Sequence, residues 1–79
     1  MSKLPLINAR RLEKFLLENG FVKVRQKGSH VFYRHPDGRY TTIAHHRAVD
    51  VPRSLIRSIL REAGLSVESY LAFVTKKKK

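Results

Sequence analysis

Residues 27–30, which read Lys-Gly-Ser-His, combine the side chains and the backbone freedom that chemistry on a phosphate requires. A histidine such as His30 has an ordinary pKa near ~6.5, so it can accept or donate a proton at neutral pH. Lys27 and Arg25 could stabilise the negative charge that develops on a reacting phosphate. Gly28 permits a ligand backbone to approach closely, and Ser29 can donate a hydrogen bond to a phosphate oxygen. The segment therefore predicts acid–base chemistry beside a bound anion.

Proton transfer at a phosphate usually needs a second acid or base as well. The sequence offers four candidates, His35, His45, His46 and Tyr33, and gives no reason to rank them. Taken alone, a histidine at the start of a strand is more often structural or merely exposed than catalytic. The Gly28–Ser29 pair likewise has a simple structural explanation as a hairpin turn, which is compatible with a functional one.

The charge of the chain points to a polyanionic partner. Seventeen Lys and Arg oppose six Asp and Glu, for a formal charge of +11 in 79 residues. Such an excess attracts phosphates and speeds encounter with them. Nucleic acid is the first expectation and an acidic protein the second. A membrane is not expected, because the cationic residues are scattered through strands and loops and no lipidation signal is present.

Cofactors and metals are not expected. The chain has no cysteine, so a disulfide or a cysteine-based zinc site is excluded. Among the four histidines, His45 and His46 are sequence neighbours, and the few carboxylates lie far apart in sequence.

No segment approaches the ~20 apolar residues of a membrane span, and no cleavable leader is recognisable. We expect a cytoplasmic, soluble and unprocessed protein.

The sequence predicts a helix before residues 27–30. Asn8 is a suitable N-cap, and Ile7 and Leu12 have the spacing of a hydrophobic staple. The apolar periodicity then continues to about Asn19, where Gly20 can end the helix in a left-handed conformation.

Three short strands follow the first helix, over residues 21–27, 30–35 and about 39–44. Alternation predicts a half-buried first strand with Val22 and Val24 on one side and, on the other, Lys23, Arg25 and Lys27. Residues 36–38, Pro-Asp-Gly, predict the second turn. Phe32 and Tyr33 must point to opposite faces, and the pattern does not decide which one is buried. The face on which His30 emerges is therefore open, and a bulge could change it.

Two helices complete the chain. Pro52 is suited to the first helical position, an apolar stripe follows, and Gly64 ends this helix. Arg53, Arg57 and Arg61 recur every four residues on it, as a solvated stripe or a contact for RNA or an acidic protein. Ser66 can cap a short final helix.

The expected fold class is α+β, with the order α-β-β-β-α and a short C-terminal helix. A three-stranded antiparallel sheet would carry the helices on one face and leave a basic face open, an order shared with the double-stranded RNA-binding domain. One domain is expected over residues 1–75, with residues 76–79 as a disordered basic tail.

Motifs along most of the chain resemble the HicA family of small toxins from bacterial and archaeal toxin–antitoxin pairs. They stand in the family's order with nearly ungapped spacing, from the first helix to about Ser66. They are Gly20-Phe21; residues 27–30; His35-Pro36-Asp37-Gly38; and Arg57, Ile59, Leu60, Ala63, Gly64 and Leu65.

The resemblance implies a fold like the double-stranded RNA-binding domain, metal-independent and ribosome-independent cleavage of mRNA, a place in the stress response, and inhibition by a HicB-type antitoxin. The family's catalytic histidine falls on His30, and the glycine and small residue before it fall on Gly28 and Ser29. A family histidine after the third strand falls on His46. A proline and a glycine usually flank it, where this chain has Ala44 and Arg47.

Three hypotheses follow from the sequence. The first is an mRNA endoribonuclease toxin with His30 at the centre of its chemistry, Arg25, Lys27, Gly28 and Ser29 on the phosphate, and His46 as a possible secondary residue. The second is a non-catalytic RNA-binding module of the same fold. The third is a basic adaptor whose main partner is an acidic protein.

Overall fold

The computed structural model describes residues 4–45 and 49–75, and its elements follow the predicted order. They are α1 (Ala9–Glu18), β1 (Val22–Lys27), β2 (His30–Arg34), β3 (Tyr40–Ala44), α2 (Arg53–Ala63) and α3 (Val67–Thr75). The three strands form one antiparallel sheet in the order β1-β2-β3. The α+β prediction, with a fold like the double-stranded RNA-binding domain, is confirmed.

Both ends of α1 form as the sequence predicts. The Asn8 side chain accepts a hydrogen bond from the Arg11 amide at 2.9 Å, which satisfies one free N–H of the first turn. At the other end Gly20 adopts φ +93°, and the amides of Gly20 and Phe21 bond to the carbonyls of Leu17 and Leu16. This is the Schellman pattern, and it turns the chain sharply into β1.

The strand register decides which aromatic of β2 is buried. Val31 and Tyr33 are buried against the helices, whereas His30 and Arg34 are exposed and Phe32 is half-buried. Because side chains alternate along a strand, His30 and Phe32 lie on the face that the helices leave open. We call this side the open face.

The prediction for β1 is wrong in two respects. All six of its residues are exposed, so the strand is not half-buried. The pairing also shifts between Lys23 and Arg25, where Val24 forms a bulge. As a result Lys23 pairs with buried Tyr33 and lies on the helix side, whereas Val22 pairs with Arg34 on the open face.

The helix α2 packs beside β3. The hydroxyl of Thr41, which is buried, donates to Glu62 at 2.8 Å, and the Arg39 guanidinium donates to the Ala63 carbonyl at 2.6 Å. Arg53 donates to the carbonyl of Leu4 at 2.9 Å, so it is not part of a freely solvated stripe with Arg57 and Arg61. These bonds fix α2 along one edge of the sheet.

The final helix belongs to the core. The Ser66 hydroxyl caps its first turn by accepting from the Ser69 amide at 3.0 Å. Tyr70 is fully buried, its ring meets Phe15 edge-on at 5.8 Å, and its hydroxyl donates to the carbonyl of Pro5. Burial raises the pKa of Tyr70 to about 12. Through Tyr70, the helix α3 thus packs against α1 and bonds to the segment that precedes α1.

Within the described ranges, the helices are all too short or too polar to cross a lipid bilayer.

Candidate functional site

The turn between β1 and β2 brings a lysine and a histidine together. Lys27 pairs directly with His30 across the hairpin, with Gly28 and Ser29 as the two loop residues. Directly opposed residues have Cβ atoms about 4.5–5.5 Å apart, so one phosphate can contact both side chains. The sequence prediction of a tight turn at this position is confirmed.

Backbone and side-chain bonds hold this turn in shape. Gly28 has φ +60°, as the primed hairpin turns require at their first central residue. The Gln26 side chain donates to the Gly28 carbonyl at 3.0 Å, and the His45 amide donates to the Ser29 carbonyl at 2.7 Å. The position of His30 is therefore fixed by both neighbouring strands.

The open face carries a continuous set of cationic and aromatic side chains. Arg25 pairs with Phe32, and its guanidinium lies 5.3 Å from the centre of that ring. The Phe32 and Tyr40 rings are 6.1 Å apart, and Arg34 pairs with both Val22 and Tyr40. We call the following set the basic face: Arg25, Lys27, His30, Phe32, Arg34 and Tyr40.

The structure brings most of the predicted site residues together. Arg25 and Lys27 share the open face with His30, and Gly28 and Ser29 form the adjoining turn. His46 lies outside the described residues, as does the basic tail at 76–79.

Sequence reasoning missed Arg34 and Tyr40 as members of this site. Alternation along β2 places Arg34 on the same face as His30 and Phe32, but the sequence does not show that this face is the exposed one. Tyr40 belongs to this face because it pairs with Arg34, and that pairing is visible only in the structure.

Two candidates for a second acid or base lie on the opposite side of the sheet. The Tyr33 hydroxyl is 2.9 Å from Nε2 of His45, and that nitrogen is 3.5 Å from a carboxylate oxygen of Glu13. Burial, and secondarily the charge of Glu13, raise the pKa of Tyr33 well above its usual value. Neither Tyr33 nor His45 faces the phosphate position beside His30.

His35 lies at the far end of β2. Its Nδ1 accepts from the Asp37 amide at 3.1 Å, and its ring packs edge-on against Phe21. It stands five positions along the chain from His30, or roughly 16 Å in an extended strand. Hydrogen bonds from Arg39 lower the pKa of Asp37 in the same turn. His35 therefore shapes the β2–β3 turn and is remote from His30.

Lys23 is a cation of β1 that does not share the basic face. The Lys23 ammonium lies 3.8 Å from Glu13 on the helix side, away from the basic face. Among residues 4–45 and 49–75, no three His, Asp or Glu side chains cluster as metal ligands. The described basic face offers one imidazole next to fixed positive charge and two stacking rings.

A comparison with models of protein families identifies the family of this chain. The model of the HicA toxin family of bacterial toxin–antitoxin systems matches residues 9–65, from the first residue of α1 to just beyond α2. No curated protein matches the chain. The matched range contains all of the basic face and covers most of the 79 residues, and the chain belongs to the HicA toxin family.

Proposed function

We propose that this HicA-family toxin is an endoribonuclease that cleaves mRNA without a metal or the ribosome, with His30 as its catalytic residue. The observation that carries the proposal is the placement of His30 beside Lys27 on an exposed face with Arg25, Arg34 and two aromatic rings. Such a face suits single-stranded RNA, whose phosphates need cations and whose bases stack on aromatic side chains.

The reaction needs little from the protein because RNA carries its own nucleophile. The 2′-oxygen attacks the adjacent phosphorus, a bond forms between them, and the bond from phosphorus to the 5′-oxygen breaks. His30 either accepts the 2′-hydroxyl proton or supplies a proton to the departing 5′-oxygen, and solvent water makes the other of these two transfers. Lys27 and the amides of the Gly28–Ser29 turn stabilise the charge on the phosphorane oxygens. The products are a 2′,3′-cyclic phosphate and a 5′-hydroxyl.

The proposed protein partner is a HicB-type antitoxin. Membership of a toxin–antitoxin family supports an inhibitor protein, and the basic face would suit an acidic surface that excludes RNA by occupying the same cations. A protein encoded beside this chain should then abolish RNA cleavage at equimolar ratio.

A second candidate is RNA binding without cleavage. The observation that favours it is that Tyr33 and His45 lie on the opposite side of the sheet and His35 lies beyond the other end of β2, which leaves one imidazole on the described part of the open face. Binding would then depend steeply on salt and would leave the RNA intact.

A denaturing gel separates these two functions. RNA free of ribosomes is incubated with the protein in EDTA, and the ends of any fragments are tested for cyclic phosphate. Fragments with those ends support the endoribonuclease. Intact RNA that is nevertheless retained by the protein contradicts it and supports the binding module.

A further inference from the structure

A groove runs between α2 and the β3 edge of the sheet, and His30 lines one end of it. Its volume is about 460 Å³, within the roughly 300–1,000 Å³ typical of small-ligand pockets. Thr42 and Ala44 of the open face line it from the sheet. We call it the side groove. Because His30 belongs to both, the side groove opens directly from the basic face.

The walls of the side groove are largely apolar. Leu55, Ile59 and Pro52 form the helix side, and Leu55 is 48% exposed although it is a large hydrophobic residue. In a monomer, an apolar surface that opens from a basic face suits a ligand with an apolar face and an attached anion. A nucleotide in single-stranded RNA has this character, since its base is flat and its backbone is charged.

The polar groups of the side groove select the base over the backbone. Glu62 and Asp50 are acidic residues of its lining, whereas the basic face beside it carries Arg25, Lys27 and Arg34. The carboxylates repel a phosphate and the cations attract it. We therefore expect an RNA strand that crosses His30 to keep its backbone on the basic face and to turn a base towards the side groove.

We propose that the side groove binds the unpaired nucleobase next to the cleaved phosphate and prefers bases that carry an exocyclic amine. The inference rests on the proposed function. One oxygen of Glu62 is engaged by the Thr41 hydroxyl at 2.8 Å, which fixes the carboxylate at the sheet edge. A carboxylate is an acceptor only, so it needs a donor from the base. Adenine, cytosine and guanine offer an exocyclic amine, whereas the one ring N–H donor of uracil, at N3, lies between two carbonyl oxygens that repel a carboxylate.

A bulky side chain placed in the side groove tests whether a nucleobase binds there. Ser58 lines it from α2, whereas Ser54 is exposed on the same helix outside the lining. Ser58→Phe and Ser54→Phe are compared by sequencing the ends produced from an RNA with a randomised segment. We expect the unaltered protein and Ser54→Phe to share one base bias beside the cleavage point, and Ser58→Phe to lose it with at least a tenfold fall in kcat/KM. Identical cleavage maps and rates for the two variants would overturn the proposal.

Removing the Glu62 carboxylate tests the preference for bases that carry an exocyclic amine. We expect the unaltered protein to discriminate against uracil by about tenfold, which corresponds to about 1.4 kcal/mol. Glu62→Gln keeps an acceptor for Thr41 but adds a donor that can bond to a uracil carbonyl, so this discrimination should nearly disappear. Glu68→Gln on α3 removes the same charge from an exposed position and should leave the bias unchanged. Equal uracil discrimination in both variants contradicts the role of Glu62.

The proposed function and the side-groove proposal can fail independently. If the unaltered protein leaves RNA intact, the endoribonuclease function is wrong, and the side groove is tested by binding alone. Binding of oligoadenylate and oligouridylate by this unaltered protein, measured by fluorescence anisotropy, then decides the side groove without any cleavage. Tighter adenylate binding that Ser58→Phe abolishes supports it, and equal affinities overturn it.

Discussion

At the scale of single residues, the bulge at Val24 decides which cations belong to the site. Without it, Lys23 would share a face with Arg25 and Lys27, as strict alternation predicts. The extra residue sends Lys23 to Glu13 on the helix side and leaves the other two beside Phe32 and His30. Two lysines four positions apart in one exposed strand therefore have different expected roles.

This difference predicts unequal effects of two matched substitutions. Lys27→Ala should weaken binding of single-stranded RNA and reduce the slope of log affinity against log salt by about 0.7, the value for one phosphate contact. Lys23→Ala removes the same charge from the other face and should leave the slope nearly unchanged. Filter binding between low and moderate salt measures both. Equal slopes for the two variants would show that the basic face does not hold the RNA.

Phe32 and Tyr33 are likewise adjacent but differ in burial. Phe32→Ala should weaken RNA binding by about 1–3 kcal/mol through lost base stacking while the domain stays folded. Tyr33→Ala removes a fully buried ring and should cost about 3–5 kcal/mol of unfolding free energy. Anisotropy and urea denaturation measure the two effects. A Phe32→Ala variant with full RNA affinity would exclude a stacking role.

At the scale of elements, the β1–β2 hairpin depends on backbone conformation more than on packing. Gly28 adopts a positive φ, yet a Cβ atom added there would meet nothing within 4 Å. The constraint at this position is therefore conformational strain alone. Since His30 follows the turn directly, strain there also changes the position of the imidazole.

Gly28→Ala should lower the free energy of unfolding by about 1–2 kcal/mol, because an L-residue is strained at this φ. Gly28→Asn should cost less, because asparagine tolerates the left-handed region better. Urea denaturation of the two variants measures the difference. An alanine variant as stable as the unaltered protein would show that the turn readily adopts another conformation.

Much of the element order could be predicted from the sequence because local signals are strong. The Asn8 cap, Gly20 and the Gly28–Ser29 turn each depend on neighbours within a few residues, and each forms as expected. The bulge at Val24 and the burial of Tyr33 depend on how the strands pair and on how the helices cover the sheet. Such contacts lie far apart in sequence, so the pattern within one strand could not reveal them.

At the scale of the whole molecule, the small domain is completed by a helix beyond the family match. Tyr70 of α3 is fully buried against Phe15 and bonded to Pro5, although the match ends at residue 65. A chain of 79 residues can form only a thin core, so one buried aromatic is a large share of it. The helix α3 is therefore part of the folding unit that supports the basic face.

Burial of Tyr70 predicts instability at high pH. Its pKa is raised from 10.0 to about 12, so the folded state retains a proton that the unfolded state loses. The stabilisation is complete below pH 10 and is lost as pH rises through about 12. Unfolding by urea between pH 8 and 12 should show a steeper loss for the unaltered protein than for Tyr70→Phe. Parallel curves for the two proteins would contradict this account of the core.

The most direct test of the central claim is the rate of RNA cleavage by two matched histidine variants. His30→Gln should reduce cleavage in EDTA by at least about 100-fold, the usual contribution of a general acid or base. His35→Gln, in the remote β2–β3 turn, should retain a rate close to that of the unaltered protein, and thermal unfolding verifies that both variants are folded. A folded His30→Gln protein that cleaves RNA at the unaltered rate would contradict the proposed catalytic role.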